Sequence, residues 1–223
     1  DNVPGMSRSP AELEELLREL GVTKNSSVVL YGDGGPEPYR LWWTLRIVAG
    51  LDTRVHDGGL QAWKAAGHQV AGGSGLEVEA GDVVAGAPIS PAGQHWVDVS
   101  GFMTANPGTK LIDTRSDIEY TGAEKHPKAA RAGHIPGATH LDWAEVLRDK
   151  DGDHRLKAPS VLRDLFTAHE IEPGTPVVTY CQSGTRSAAV HYALYQLGHD
   201  PQVSLNYDGS WAEYSRLDLP VEP

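Results

Sequence analysis

The fold is decided by a stretch that the chain contains twice. Residues 9–31 read SPAELEELLRELGVTKNSSVVLY, and residues 158–180 read APSVLRDLFTAHEIEPGTPVVTY. At an offset of 149 residues the two copies align identical residues: Pro10 with Pro159, Leu13 with Leu162 and Tyr31 with Tyr180. A period this long indicates a duplicated domain rather than a solenoid of short repeats.

Each copy has the same order of predicted elements. In the first copy Ser9, Pro10 and Glu12 form the pattern of a capped helix start. Leucines then recur at helical spacing, and a short apolar strand follows near Val28. A loop and a second helix come next, at about 39–49 in the first copy and 187–197 in the second. Strands alternating with helices predict an α/β fold, with two similar domains that each hold a mostly parallel sheet flanked by helices.

The two copies are unequal in length. Residues 71–93 are rich in Gly, Ala, Ser and Pro, and we predict a first domain at 1–75, a linker at 76–95 and a second domain at 96–223. The second domain contains a strand at 111–113 whose counterpart would precede the first residue of the chain. We therefore expect the first domain to lack its N-terminal part here, and a separate or unobserved N-terminal segment to associate with it.

Composition excludes several classes of protein. The chain has a net charge of −11, 39% apolar residues and a single cysteine. One cysteine rules out an internal disulfide and a thiolate-rich zinc site, and the acidic balance argues against nucleic acid or an anionic membrane as partner. No spanning segment or secretion signal is visible, so we expect a cytoplasmic protein.

The single cysteine lies in an informative loop. Cys181-Gln182-Ser183-Gly184-Thr185-Arg186 directly follows a predicted buried strand and precedes a helix, where open α/β sheets bind ligands. Loop amides and the helix N-terminus favour an anion there and lower the pKa of a thiol. The first copy has Gly32 and Glu37 instead, so we predict that it is inactive. An inert buried thiol is the usual alternative for a lone cysteine, but it leaves Gly184 and Arg186 unexplained.

Three motifs together resemble the rhodanese-type sulfurtransferases. Cys-x-x-Gly-x-Arg resembles their active-site loop, residues 111–115 with 133–138 resemble their first signature, and residues 208–214 with 219–221 resemble their C-terminal signature. The resemblance covers residues 111–223 strongly and 9–70 as a degenerate first domain. Four residues separate Cys181 from Arg186, whereas the related dual-specificity phosphatases have five, so a sulfur atom suits this loop better than a phosphoryl group.

The resemblance implies a tandem sulfurtransferase in which Cys181 is the catalytic nucleophile. Gln182, Ser183, Gly184, Thr185 and Arg186 would cradle a small anionic sulfur donor, and cyanide, a thiol or a protein thiol would accept the sulfur. No metal or organic cofactor is implied. For Asp113 and Arg115 a contact with the substrate and a buried structural role both stay open, the structural role being slightly favoured.

The identity of the donor stays open at this stage. Thiosulfate is the first expectation and 3-mercaptopyruvate the alternative, because Gln182-Ser183 fits the loop type of neither group. Glu119 stands where many eukaryotic members carry a substrate-binding arginine. Lys125, Lys128 or Arg131 could compensate, although solvated surface charges are the simpler interpretation. A sulfur carrier or interaction protein without small-molecule turnover is the alternative from another functional class.

Overall fold

The structure, a computed structural model, describes residue 3 and the ranges 5–73, 77–91, 93–149 and 152–223. The first repeat contains three α-helices and two strands in the order α1 (Pro10–Glu19), β1 (Val28–Leu30), α2 (Glu37–Trp42), β2 (Thr53–Val55) and α3 (Gly59–Ala65). A π-helical turn at Trp43–Val48 continues α2. The predicted start of α1 is confirmed, since Ser9 and Glu12 form a capping box.

The second repeat contains the remaining elements. They are α4 (Trp96–Ala105), β3 (Lys110–Asp113), α5 (Asp117–Tyr120), β4 (Thr139–His140), α6 (Pro159–Ala168), β5 (Val177–Tyr180), α7 (Thr185–Gln196), β6 (Ser204–Asn206) and α8 (Ser210–Tyr214). Short 3-10 turns occur at Trp143–Val146 and Pro201–Val203.

Both sheets are parallel, which confirms the predicted α/β class. The second repeat forms a four-stranded sheet in the order β4-β3-β5-β6, and the first forms the pair β1-β2. The repeat is visible in the pairing, because Val28 lies opposite Thr53 in one sheet and Val177 lies opposite Ser204 in the other. In the described ranges β1 has no second neighbour, and Val29 and Tyr31 are 57% and 67% exposed. The associated N-terminal segment expected there stays a prediction.

The two repeats share one apolar core. Trp42 of α2 lies with its ring 4.8 Å from Tyr192 and 5.0 Å from Tyr195, both on α7. The segment after the first repeat is also packed down, since Val83 is 3% exposed and its carbonyl accepts a hydrogen bond from Arg18 at 2.9 Å. The predicted domain boundaries stay predictions, and this shared core holds the first repeat against the helix that follows Cys181. None of the helices in the described ranges is long and apolar enough to cross a lipid bilayer.

Candidate active site

Cys181 lies between the end of β5 and the start of α7, and only 1% of the residue is exposed. The loop is held from behind by α8. The amide of Trp211 donates to the Cys181 carbonyl at 3.0 Å, and the amide of Ala212 donates to the Gln182 carbonyl at 2.9 Å. These bonds turn the two carbonyls toward α8.

The hydroxyl of Ser210 fixes the curvature of this loop. Its oxygen accepts the amide of Cys181 at 3.2 Å and the amide of Gly184 at 2.9 Å, and it donates to the carbonyl of Tyr207 at 2.6 Å. Ser210 has a φ of 47°, a left-handed conformation that is uncommon outside glycine. A strained backbone conformation persists only where the surrounding contacts enforce it, and such residues cluster at functional sites. Ser210 lies within the C-terminal signature at 208–214, and no role was predicted for it.

The thiol of Cys181 is arranged to ionise. Burial acts to raise its pKa, but the positive charge of Arg186 and hydrogen bonds from Ser187 and Ser183 outweigh burial, so the pKa lies below its ordinary value. The buried hydroxyl of Ser187 has no hydrogen-bond partner in the described ranges, which leaves it available to an anionic sulfur on Cys181. The thiolate is the nucleophilic form of cysteine, so the site favours attack by Cys181.

Gly184 is the residue on which the two repeats meet at this loop. Its φ is 71°, and a Cβ atom there would lie 2.6 Å from Nη1 of Arg40, which belongs to α2 of the first repeat. The Gly184 carbonyl accepts Nδ2 of Asn206 at 3.0 Å and Nη1 of Arg40 at 3.4 Å. The backbone at Gly184 is therefore set by both repeats, for which only glycine leaves room.

Arg40 is anchored by a buried ion pair that crosses between the repeats. Its guanidinium pairs with Asp208, whose side chain is 0% exposed, and that of Arg40 is 14% exposed. The other carboxylate oxygen of Asp208 accepts the amide and hydroxyl of Ser7 at 2.8 and 2.7 Å. Arg40 was not predicted as a site residue, because no local pattern distinguishes it from an ordinary arginine on a helix surface.

Arg186 does not stand free in the site. Its guanidinium binds both carboxylate oxygens of Glu119, at 2.6 and 3.0 Å. The charge of Arg186 still acts on Cys181, but the fork that was expected to hold a donor is occupied. A direct contact between Arg186 and a donor stays a prediction.

Asp113 and Arg115 lie buried beneath the site. Arg115 donates its Nε to both oxygens of Asp113, at 2.9 and 3.0 Å, and its Nη2 to the Gly133 carbonyl at 2.8 Å. Its guanidinium also lies 4.7 Å from the ring of Trp211. With Asp113 and Arg115 at 0% and 1% exposed, these contacts favour the structural role, and a direct contact with substrate stays a prediction.

A cleft of about 360 Å³ opens in front of the loop. It is lined by residues from the loop, from α8 and the turn after it, from the loop after α5 and from the N-terminal segment: Gly5, His126, Lys128, Gln182, Ser183, Arg186, Ala212 and Arg216. Three of its residues are cationic, a local contrast to the net charge of −11. Burial lowers the pKa of His126, which is thus mostly neutral at pH 7. Of the loop residues, Gln182, Ser183 and Arg186 line the cleft, whereas Cys181, Gly184 and Thr185 do not.

The three basic candidates near Glu119 have different positions. Lys128 lines the cleft, whereas Lys125 donates to the carbonyl of Ala129 at 2.7 Å. Arg131 holds the C-terminal segment through the carbonyls of Leu217 and Leu219, each at 2.7 Å. Arg216 was not singled out from the sequence, and it lines the cleft beside Lys128.

Comparison with known proteins gives consistent matches. The profile of the rhodanese-like domain matches residues 2–66 and 101–217. The chain is similar to the 3-mercaptopyruvate sulfurtransferase of Escherichia coli (strain K12), with 30% identity covering 99% of this chain and 76% of that protein. It is also similar to the thiosulfate sulfurtransferase of Corynebacterium glutamicum, with 30% identity covering 93% of this chain and 70% of that protein.

Among solved structures, the chain is similar to the anaerobic ergothioneine biosynthesis enzyme from Chlorobium limicola in complex with trimethyl histidine. The TM-score is 0.77 and the identity 26%, covering 97% of this chain and 56% of that chain. A variant of EanB with a cysteine persulfide, in a tetrahedral intermediate state with ergothioneine, matches with a TM-score of 0.82 and 25% identity over 97% of this chain. This chain spans 56% of the length of each of these solved chains.

Proposed function

The chain belongs to the rhodanese-like domain family, and from this premise we propose that it transfers a sulfane sulfur from thiosulfate to a thiophilic acceptor through a persulfide on Cys181. The observation that carries the proposal is the thiol itself. Cys181 lies at a strand–helix junction, its pKa is lowered despite burial, and it is next to a cleft that holds three cationic residues.

The chemistry balances without a further reactant. The thiolate of Cys181 attacks the outer sulfur of thiosulfate, a new S–S bond forms, and the bond to the sulfonate sulfur breaks, with its electron pair leaving on sulfite. Cyanide or a thiolate then attacks the outer sulfur of the persulfide. The electron pair of the broken S–S bond returns to Cys181, which regenerates the thiolate.

Two residues of the loop surroundings would support this cycle. The Ser187 hydroxyl and the amides near the sulfur would stabilise the anionic forms of Cys181 and of its persulfide. Ser210 would keep the loop backbone around the sulfur in place, because its hydroxyl binds the amides of Cys181 and Gly184.

The first experiment is mass spectrometry of the intact protein after incubation with thiosulfate or with 3-mercaptopyruvate. We expect a gain of one sulfur atom on Cys181, and none in Cys181→Ser. If neither donor adds mass, the proposal is contradicted. If only 3-mercaptopyruvate adds mass, it replaces thiosulfate as the proposed donor.

A steady-state assay with cyanide as acceptor separates the enzyme from the sulfur carrier. Turnover to thiocyanate is the result expected of an enzyme. A persulfide that forms on Cys181 but is not discharged by cyanide or by small thiols identifies the carrier, and contradicts the proposed turnover.

A further inference from the structure

Glu119 holds a negative charge inside the candidate site before any donor arrives. Its two carboxylate oxygens bind the guanidinium of Arg186, and the two side chains are only 12% and 23% exposed. Arg186 is at the same time the main source of positive charge on Cys181. A donor that approaches the thiol therefore meets an arginine that already has a carboxylate partner.

The position of Glu119 is fixed by its own helix. Glu119 is the third residue of α5, and its Oε2 accepts the hydroxyl of Ser116 at 2.9 Å and the amide of Ser116 at 3.3 Å. Burial acts to raise the pKa of Glu119, but the bonds to Arg186 and Ser116 outweigh it and lower the pKa to about 2. The carboxylate is thus ionised throughout the neutral pH range and is held by its bonds to Ser116 and Arg186.

The other cations of the cleft have no such partner. Lys128 and Arg216 line the cleft, and neither forms an ion pair with a carboxylate in the described ranges. Arg216 donates instead to the carbonyls of Ala212 and Lys128. The cleft therefore offers unneutralised positive charge at Lys128 and Arg216, and a neutralised pair at Arg186 and Glu119.

We propose that Glu119 is a specificity-determining residue, whose carboxylate occupies the fork of Arg186 and disfavours donors that carry a compact double negative charge next to the reacting sulfur. The inference rests on the proposed function. A donor whose single anionic group lies a few bonds from its sulfur can place that group toward Lys128 and Arg216 while its sulfur meets Cys181. Thiosulfate, the donor proposed above, is a compact dianion without such a separation, so the charge of Glu119 would raise its KM without preventing its use.

The size of the effect follows from Coulomb's law. At a separation of about 6 Å in water, one pair of unit charges changes an affinity about threefold. Removing the charge of Glu119 is then expected to improve the use of dianionic thiosulfate about tenfold, and that of a monoanion such as 3-mercaptopyruvate about threefold. A larger improvement for thiosulfate than for 3-mercaptopyruvate indicates an effect of charge, because a loss of structure would slow the reaction with both donors.

Glu119→Gln is the clean substitution, because glutamine can also complete a capping box with Ser116. Glu12→Gln is a matched control. Glu12 accepts the hydroxyl and amide of Ser9 at 2.7 and 2.8 Å in the capping box of α1, on the exposed surface. Like Glu119→Gln, Glu12→Gln removes one negative charge from the third residue of a helix that begins with a capping box.

The test measures the rate of persulfide formation on Cys181 by mass spectrometry against the concentration of each donor, for wild type, Glu119→Gln and Glu12→Gln. A second measurement needs no donor: alkylation of Cys181 by iodoacetamide as a function of pH. We expect Glu119→Gln to lower the apparent KM about tenfold for thiosulfate and about threefold for 3-mercaptopyruvate, and to move the alkylation midpoint to lower pH. Glu12→Gln should match wild type in both measurements.

Equal effects on the two donors, or an alkylation midpoint that Glu119→Gln leaves unchanged, would overturn the inference. Failure of the proposed function looks different, because the wild-type protein would then gain no sulfur from either donor. In that case alkylation alone decides whether Glu119 acts on the thiol, and an unchanged midpoint again overturns its role.

Discussion

Replacing Arg40 by leucine removes the cationic half of the ion pair that joins the repeats behind the cysteine loop. Arg40→Leu leaves the carboxylate of Asp208, which is 0% exposed, without a counter-charge. Asp208 keeps its bonds from the amide and hydroxyl of Ser7. The carbonyl of Gly184 loses Arg40 but keeps Asn206.

The expected cost follows from this geometry. Breaking a buried ion pair by removing one partner typically costs about 3–5 kcal/mol, because a buried charge is left uncompensated. The two bonds from Ser7 to Asp208 place this case at the lower end, at about 3 kcal/mol. That is a large part of the roughly 5–15 kcal/mol that stabilises a typical folded domain. At a slope of about 2–3 kcal/mol per molar urea, the unfolding midpoint should fall by about 1–1.5 M.

Urea unfolding followed by far-UV circular dichroism measures this cost. The double variant Arg40→Leu/Asp208→Asn also removes the unpaired charge of Asp208 and should recover part of the lost free energy of unfolding. A double-mutant cycle measures the coupling between the two residues. Lys24→Gln is the control, because Lys24 and Asp82 lie 3.8 Å apart with side chains 70% and 61% exposed. Exposed pairs of this kind contribute little to stability.

Two results would refute the reasoning about Arg40. One is a midpoint for Arg40→Leu that is no lower than that of Lys24→Gln. The other is a double variant no more stable than Arg40→Leu, which would show that the unpaired carboxylate of Asp208 is not the source of the cost.

Three further predictions concern acid stability, the thiol and the loop. Both ring nitrogens of His191 lack partners in the described ranges, and burial lowers its pKa to about 4. The free energy of unfolding should therefore fall as pH drops from about 6.5 to 4, and His191→Leu should reduce that fall by up to about 3 kcal/mol in urea titrations; equal curves would contradict this. Arg186→Met should raise the pKa of Cys181, so alkylation by iodoacetamide should shift to higher pH, and an unshifted profile would exclude Arg186 as the main source of charge. Gly184→Ala should slow persulfide formation at least about tenfold, because a Cβ atom there would lie 2.6 Å from a guanidinium nitrogen of Arg40. Gly198→Ala is the control: Gly198 has a similar positive φ but no atom within 4 Å of the added Cβ, so this variant should react like wild type.

Much of the fold was predictable because its signals are local. The capping box of Ser9 and Glu12 and the apolar residues of the repeated strands depend on a few neighbouring residues, and all appear as predicted. The duplication predicted the matching strands β1 and β5, whereas their partners β2 and β6 were not predicted. The family was predictable as well, since three short motifs carry it and the rhodanese-like profile matches most of the chain.

The candidate site was predictable only in part. The position of Cys181 between a strand and a helix follows from the order of residues along the chain. The role of Ser210 cannot be predicted in this way, because its hydroxyl is brought to the loop by the pairing of β6 with β5. The same holds for Arg216, which looks like any surface arginine until α8 places it beside the cleft.

By itself, the sequence determined the repeat, the parallel strands and the place of the single cysteine between a strand and a helix, because periodicity, caps and turn residues act over a few residues. Only the tertiary structure decided which charges pair. Arg186 and Glu119 are 67 residues apart, and Arg40 and Asp208 are 168 apart. These partners meet because of the strand order β4-β3-β5-β6 and the packing of α2 on α7. No local pattern encodes a distance between side chains so far apart in sequence, whereas burial makes each such pairing energetically decisive.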